Sequence, residues 1–243
     1  MKKTLPFLLV ILVVAFLFSC KKSTETYTSA SIADYAPLTV GKYISYKLDS
    51  LVFVSFGASS VINSYEVKYA VDAKITDNTG AEAYRIIRYI RKTSGNPWVA
   101  DATFMAKNTG TSLEFVENNL RYIKLKLPFR EGFSWKGNSF IDTYSLNSDL
   151  KYLDGWDYTY EDVDQPKAIG TFNLDSTIVV DQHADSLGTP VTSATQYAEK
   201  NIGKEIYARK IGLVYRDFLH WEYQGVSHSY TGYGVTLTMI DHN

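Results

Sequence analysis

The chain has 243 residues and a single cysteine, which excludes an intramolecular disulfide framework and a cysteine-based zinc or iron–sulfur site. Its 25 basic and 26 acidic residues give a net charge of −1, which argues against a nucleic-acid partner. Hydrophobic residues make up 45% and charged residues 21%, a composition typical of an ordered globular protein. The aromatic fraction of 14%, with 19 tyrosines, favours β-structure.

The first twenty residues have the pattern of a bacterial export signal. Lys2 and Lys3 are followed by an uncharged apolar run over 6–18, which is too short for a membrane-spanning helix of roughly 20 residues. The run ends in Leu-Phe-Ser-Cys at 17–20, which resembles the cleavage site of bacterial lipoprotein signals. That resemblance implies cleavage before Cys20 and acylation of its sulfur and new amino group, so that the acyl chains hold the protein on a membrane. The alternative is that Cys20 is a buried apolar residue of an uncleaved signal anchor.

The signal divides the chain into three predicted parts. Residues 1–19 form the signal peptide, residues 20–36 the lipidated cysteine and a polar tether, and residues 37–243 a single β-rich domain. Lys21 and Lys22 follow the cysteine, without the aspartate that marks inner-membrane retention in some bacteria and without the acidic run linked to surface export in some lineages. We therefore expect the protein in the bacterial cell envelope, anchored to the outer membrane and facing the periplasm, with the cell surface as the alternative.

Alternation of apolar and polar residues predicts a series of strands. Between Tyr65 and Ile75 the alternation is typical of a half-buried strand, and the turn-forming residues 76–80 lead into a return strand over 84–91. A second hairpin is predicted around residues 117–119. Further strands are predicted at 44–48 with an extension over 51–56, and at 98–104, 113–116, 121–127, 140–145, 174–181, 206–219 and 235–240.

Only two short helices are predicted. Residues 197–202 precede Gly203, which would take the position of a C-terminal cap, and residues 149–156 are the second candidate. Because the connections between successive strands are short, antiparallel pairing is expected. The predicted fold class is therefore mainly β: a long, twisted antiparallel meander that forms a half-barrel or a two-layer sheet, with one or two short helices.

Three local motifs carry a resemblance to a known family. Tyr-Ala-Pro-Leu-Thr-Val-Gly at 35–41 precedes the first strand, Gly-Phe-Ser-Trp lies at 132–135, and Ile-Gly-Leu-Val-Tyr lies at 211–215. These resemble motifs shared by a Bacteroidota-type family of uncharacterised lipoproteins: Tyr-x-Pro-Leu-x-Val-Gly, Gly-x-Ser/Thr-Trp, and a strand like Gly-x-Gly-Leu-Val-Tyr, of which Lys210 replaces the first Gly. The resemblance covers most of residues 35–243. It implies the fold and the envelope location, and it implies no activity.

His220 and Glu222 are the first candidates for chemistry. They are two residues apart on a predicted strand and so share a face, where they would serve as two ligands of a metal site, with His228 within reach from the next strand. In the alternative that the protein is a hydrolase, these two residues would lie at the active centre. Because there is no His-Glu-x-x-His motif and no other metal-ligand spacing, we expect two polar side chains on a solvent-facing surface and no metal site.

An acidic stretch runs from Asp154 to Asp164 and contains five carboxylates. Ca²⁺ takes six to eight oxygen ligands, but the spacing does not match the acidic positions of an EF-hand loop. We expect a solvated acidic loop, although Tyr158 and Tyr160, which alternate with Thr159, also permit a short strand.

The four tryptophans are candidates for ligand contacts. An exposed indole can stack on a sugar ring, whereas a buried one supplies core volume and cross-strand packing. We expect packing for Trp98 and Trp135, and a surface position for Trp156 and Trp221. The candidate ligand-binding residues are Trp156, Trp221, His220 and Glu222.

No catalytic or cofactor motif is present: neither a Gly-x-Ser-x-Gly elbow nor a phosphate-binding loop nor a dinucleotide fingerprint occurs. We predict no catalytic residues, no cofactor and no enzyme activity. The predicted function is that of a membrane-anchored envelope lipoprotein, attached through the acylated Cys20, that binds a hydrophobic ligand or an envelope protein partner. The alternatives are a carbohydrate-binding accessory protein that takes a glycan, and a hydrolase.

Overall fold

The computed structural model describes residues 29–190 and 196–243. The signal peptide, Cys20 and the first part of the predicted tether lie outside the described residues, so lipidation stays a prediction. Across the described ranges, we find no helix with both the length and the apolar composition needed to cross a membrane.

The described strands form one twelve-stranded antiparallel sheet, in the order β6-β5-β4-β3-β2-β1-β12-β11-β10-β9-β8-β7. The mainly β prediction is therefore confirmed. The elements are α1 (Ile32–Tyr35), β1 (Tyr43–Val54), β2 (Ser59–Thr76), β3 (Glu82–Arg91), β4 (Val99–Asn108), β5 (Ser112–Glu117), β6 (Leu120–Lys126), β7 (Ser134–Lys136), a 3-10 turn (Lys151–Leu153), β8 (Asp157–Ile169), β9 (Phe172–Leu187), β10 (Tyr197–Ala208), β11 (Gly212–Gln224) and β12 (Ser229–His242).

The sheet curls until its two edge strands meet, so that it is nearly closed into a barrel. The first and last strands pair in the middle of the sheet, with Leu48 opposite Leu237, which leaves β6 and β7 at the edges. These edges are joined by a backbone hydrogen bond from Ile123 N to Gly137 O (2.8 Å) and by one from Trp135 Nε1 to Ile123 O (2.8 Å). These bonds give part of each edge a partner and so shorten the row of open peptide groups that an edge strand presents.

Alternation along the strands puts the larger hydrophobic core inside the curl. Phe104, Trp135, Tyr160 and Tyr207 belong to strands that are far apart in the sheet order, yet they share one core cluster. The buried tyrosines keep their hydroxyl groups bonded: the Tyr46 hydroxyl donates to Leu213 O (2.8 Å). A tyrosine-rich sequence can therefore fill an interior, because the buried hydroxyl groups find hydrogen-bond partners.

The hairpin predicted around residues 117–119 is confirmed. Asn118 and Asn119 have φ values of 51° and 62° and connect β5 directly to β6. Two left-handed residues in succession make the turn that matches the twist of a hairpin, and asparagine tolerates that conformation better than most residues.

The helix predicted over residues 197–202 is wrong, because this segment is the start of β10. Its backbone pairs on both sides, with Ile202 opposite Leu219 in β11 and Ala184 in β9. Gly203 is not a helix cap: a Cβ there would lie 2.5 Å from Cζ3 of Trp156. The glycine is needed for close packing inside the sheet, and strand pairing overrides the local helical pattern.

Two strand predictions also differ from the structure. Residues 140–145 form no strand, since the Asp142 carboxylate accepts from the backbone N–H groups of Tyr144 (3.3 Å) and Ser145 (3.1 Å), which would otherwise pair with a neighbouring strand. The predicted strand over 206–219 is divided by a turn at Lys210, where φ is +66°. The helix candidate at 149–156 is reduced to the 3-10 turn Lys151–Leu153.

The predicted tether extends too far along the chain. Residues 32–36 belong to the folded domain, because Ile32 and Tyr35 are each 1% exposed. The Tyr35 hydroxyl lies 3.0 Å from Ser176 Oγ, and Lys210 N donates to Asp34 O (2.6 Å). These contacts tie the start of the domain to β9 and to the turn between β10 and β11.

Candidate functional site

The curled sheet contains a cavity of about 110 Å³ with mostly apolar and aromatic walls. Six strands, β1 to β5 and β10, supply the walls, so residues distant in sequence meet there. The wall residues are Tyr46, Tyr69, Val71, Ile86, Ala106, Leu113, Phe115 and Tyr207.

Three segments line one end of the cavity, and we infer that its mouth lies there because most of their residues are half-buried. The mouth is formed by residues 36–38, which follow α1, by residues 42–44 at the start of β1, and by residues 211–213 at the start of β11. Gly212 has a φ of +116°, and a Cβ there would lie 3.2 Å from Cδ1 of Ile44. A glycine at this position lets the β10–β11 turn pack closely against β1 at the mouth.

The alternation of β5 runs from the mouth to the floor of the cavity. Leu113, Phe115 and Glu117 are two residues apart and line the same cavity. At about 3.3 Å per residue, the distance from Leu113 to Glu117 is about 13 Å. The inner end is therefore charged, whereas the walls above it are apolar.

Four charged side chains form the floor, and we call Glu117, Lys124, Glu205 and Arg216 the floor quartet. Lys124 Nζ donates to Glu205 Oε1 (2.7 Å) and lies 3.8 Å from Glu117 Oε1. Arg216 donates through one terminal nitrogen to Glu117 Oε2 (2.9 Å), and its Nε lies 3.7 Å from Glu205 Oε1. Since β5 and β6 are far from β10 and β11 in the sheet order, these ion pairs cross the enclosed interior.

The floor quartet is buried and balanced in charge. The Glu205 and Lys124 side chains are 1% and 5% exposed. Burial opposes ionisation of Glu117, but the adjacent Arg216 and Lys124 outweigh that effect and lower its pKa to about 2. Both carboxylates therefore face cations, which is the arrangement that buried charges require.

Tyr207 extends the polar floor upward into the cavity wall. Its hydroxyl donates to Glu205 Oε2 (2.7 Å). Burial, together with the Glu205 carboxylate, raises the pKa of Tyr207 well above its ordinary value, and burial does the same for Tyr46. Both hydroxyl groups are therefore neutral donors at physiological pH.

Trp156 is not at the surface, contrary to the sequence expectation. It is 3% exposed, its ring is stacked on His183 at 5.1 Å between centroids, and it packs against Phe218. A buried indole cannot stack on a sugar, so the carbohydrate hypothesis loses this residue. The acidic stretch around Trp156 is likewise not a loop from residue 157 onward, since it forms β8 with Tyr158 and Tyr160 facing the core.

His220 and Glu222 are placed in different surroundings. His220 is 8% exposed, its ring is stacked on Tyr152 at 3.8 Å, and its Nδ1 lies 2.8 Å from Asn201 Oδ1. The expectation of a solvent-facing His220 is therefore wrong, whereas Glu222 is half-buried. Burial lowers the pKa of His220, so that its imidazole is neutral at physiological pH.

The remaining tryptophans divide between core and periphery. Trp135 is 5% exposed and packs in the core as expected. Trp98 is half-buried beneath the Arg91 guanidinium, which lies 4.1 Å from its ring centroid. Trp221 is half-buried with its ring edge-on to Tyr230 at 5.5 Å. The structure does not bring Trp221, Trp156, His220 and Glu222 together into one exposed platform.

The cavity contains none of the four residues predicted from the sequence. Within residues 29–190 and 196–243, no group of three or more His, Cys, Asp or Glu side chains is arranged to hold a metal ion. The sequence signal that could have identified the cavity floor is the alternation along two strands. Glu117 shares its face with Leu113 and Phe115, and Glu205 shares its face with Tyr207. A charged residue on an otherwise apolar face of a strand is the pattern that marks this floor.

Comparison of the chain with protein-family models, with curated proteins and with solved structures finds no match. The cavity and its floor are therefore the basis on which a function can be argued.

Proposed function

We propose that this protein is a non-catalytic envelope lipoprotein, anchored through an acylated Cys20, whose β-rich domain binds an apolar ligand in the interior cavity. The anchor is supported by the Leu-Phe-Ser-Cys sequence at 17–20 and by the resemblance to Bacteroidota lipoproteins. The ligand site is supported by a single observation, the apolar-walled cavity that opens at one end of the sheet. The outer membrane, facing the periplasm, is the proposed location, with the cell surface as the alternative.

The cavity has the character of a small-molecule site. Such sites are concave and mostly apolar, with a few placed polar groups that orient the ligand. Here the apolar walls end in the floor quartet, and Tyr207 adds a hydroxyl group above it. Apolar cavities of about 150 Å³ bind molecules such as benzene, so a volume of about 110 Å³ suits a ring of similar size or a short alkyl chain.

The position of the mouth fits a protein held at a membrane. Ser31 and Ala36 are five residues apart, so at most about 18 Å of chain separates the start of α1 from the mouth. From Cys20 to Ser31 the chain spans at most about 40 Å. An acylated Cys20 would therefore keep the mouth within about 60 Å of the membrane surface, where apolar molecules are concentrated.

Photolabelling of the full chain tests this proposal. The purified lipoprotein in amphipol is irradiated with an alkyl diazirine, and the labelled peptides are identified by mass spectrometry. We expect label on residues 113–117 and 211–216, which contribute to the cavity lining, and little on the exposed residues 59–62.

Two matched variants on β4 sharpen the test. Ala106→Leu adds three carbon atoms to a cavity wall that is 1% exposed, whereas Ala100→Leu makes the same change at an exposed position. Ala106→Leu should reduce labelling of the cavity peptides severalfold, and Ala100→Leu should not change it. Circular dichroism confirms that each variant is folded. Equal labelling in the two folded variants, or label confined to the outer surface, would contradict the proposal.

A further inference from the structure

The floor quartet holds more hydrogen-bond donors than its own acceptors use. Glu205 accepts from Lys124 and from Tyr207, and Glu117 accepts from Arg216. Arg216 Nε is buried and has no hydrogen-bond partner among the described residues. Lys124 has three N–H donors, of which one has a short acceptor, while Glu117 Oε1 is 3.8 Å away. The floor therefore has donors to offer to a ligand.

The same floor is neutral overall. Two carboxylates face two cations, and the nearby Arg88 is paired with Asp101 through two hydrogen bonds of 2.9 Å and 2.7 Å. An ionised carboxylate of a ligand would add an uncompensated charge to a buried site, which is strongly unfavourable. A carbonyl oxygen would accept a hydrogen bond and leave the balance of charge intact.

We propose that the ligand is an uncharged molecule with an apolar body and a leading carbonyl group, such as an ester, ketone or amide, whose oxygen accepts from Arg216 Nε and Lys124 Nζ. This inference rests on the proposed function, since it names the class of molecule that the cavity takes. The apolar body lies against Phe115, Leu113 and Val71, between the floor and the mouth.

A competition experiment on the full chain tests this inference. Methyl hexanoate, heptanoate and nonane, which have the same number of non-hydrogen atoms, compete with the alkyl diazirine for labelling of residues 113–117. The preference for the ester over the alkane is compared between the wild-type protein and Arg216→Lys, so that differences in water solubility cancel. Arg216→Lys keeps the positive charge beside Glu117 and removes the Nε donor.

We expect the ester preference to fall about tenfold in Arg216→Lys, the value of one hydrogen bond to a charged group. Arg85→Lys, at a half-exposed position paired with Asp72 outside the cavity, should leave it unchanged. Heptanoate should compete no better than nonane. An unchanged ester preference in Arg216→Lys, or heptanoate as the best competitor, would overturn the inference.

A measurement on the wild-type protein covers the case in which Arg216→Lys does not fold. The ¹H–¹⁵N signal of Arg216 Nε should shift when methyl hexanoate is added and not when nonane is added. Equal shifts with both molecules would reject the carbonyl contact. If the diazirine labels no cavity peptide at all, the proposed function itself fails, and that outcome differs from a cavity that is labelled without preference for the ester.

Discussion

Glu117 links the stability of the fold to pH. Its pKa is lowered from an ordinary value of 4.5 to about 2, since Arg216 and Lys124 outweigh the effect of burial. A depressed folded-state pKa stabilises the protein above about pH 4.5, and this stabilisation, up to about 3 kcal/mol, is lost as the pH falls towards about 2. We expect the free energy of unfolding, measured with urea, to fall more steeply between about pH 5 and 2.5 in the wild type than in Glu117→Gln. Parallel curves would show that Glu117 is not paired as described.

The pair of Lys124 and Glu205 gives a second prediction for single residues. Lys124→Met leaves Glu205 buried without its 2.7 Å partner and should lower the free energy of unfolding by about 3–5 kcal/mol. The double variant Lys124→Met/Glu205→Gln removes both charges and should be less destabilised than Lys124→Met alone. Urea denaturation of the variants in a double-mutant cycle measures this coupling, and simple additivity would contradict a direct pair.

Gly203 is required by the packing of Trp156. A Cβ at this position would lie 2.5 Å from Trp156 Cζ3 and 2.9 Å from Gln182 Cβ, so Gly203→Ala should destabilise the protein by about 1–3 kcal/mol. Gly95→Ala is the matched control, because a Cβ there has no neighbour within 4 Å. The midpoint of thermal unfolding distinguishes the two, and an unchanged midpoint in Gly203→Ala would show that β10 and the Trp156 ring are not in contact.

At the scale of elements, the contact between β6 and β8 completes the curl of the sheet. The Tyr160 hydroxyl accepts from Lys126 N (2.8 Å) and donates to Lys126 O (2.9 Å), so one side chain bonds both peptide groups of a residue in an edge strand. Tyr160→Phe leaves these groups without that partner and should cost about 1–3 kcal/mol. Tyr144→Phe, at a residue that is 81% exposed, is the control and should be neutral. Amide hydrogen exchange of Lys126 should increase in Tyr160→Phe alone, and unchanged protection would contradict this role.

The strands were predictable from the sequence where one face of the strand is exposed to solvent. The alternation in β2 and β3 and the Asn118–Asn119 turn were sufficient for two hairpins, because period-two burial is a local property of the sequence. The start of β10, residues 197–202, was missed because its local pattern favours a helix and its pairing with β9 and β11 is a long-range contact. The turn at Lys210 was missed because the residue carries no turn signal, and its left-handed φ is supported by a hydrogen bond to Asp34 O.

At the scale of the whole molecule, the site was not predictable from the sequence. The floor quartet joins β5 and β6 to β10 and β11 across the interior, and no local pattern specifies which strands face each other there. The one indication in the sequence is that Glu117 continues the alternating apolar positions Leu113 and Phe115 on one face of β5. The two-residue spacing of His220 and Glu222 suggested a pair of metal ligands on one face of a strand, but the structure buries His220 against Tyr152 and Asn201.

The anchor is a separate prediction for the whole chain. Cys20→Ser removes the sulfur that would be acylated, and we expect unprocessed precursor, loss of radiolabelled palmitate incorporation and release of the protein from the outer-membrane fraction. Immunoblotting of fractionated cells measures processing and membrane attachment, and the radiolabel measures acylation. Normal processing and membrane attachment of Cys20→Ser would contradict the proposed location.

Native mass spectrometry of the full chain, isolated from its own membranes, shows whether the cavity holds an apolar molecule. We expect a bound species in the wild type and in Ala100→Leu but not in Ala106→Leu. This species should be lost on denaturation, which distinguishes it from the covalently attached acyl chains. If the wild-type protein carries no such species, or if Ala106→Leu retains the species in full, the cavity is not a binding site for an apolar ligand.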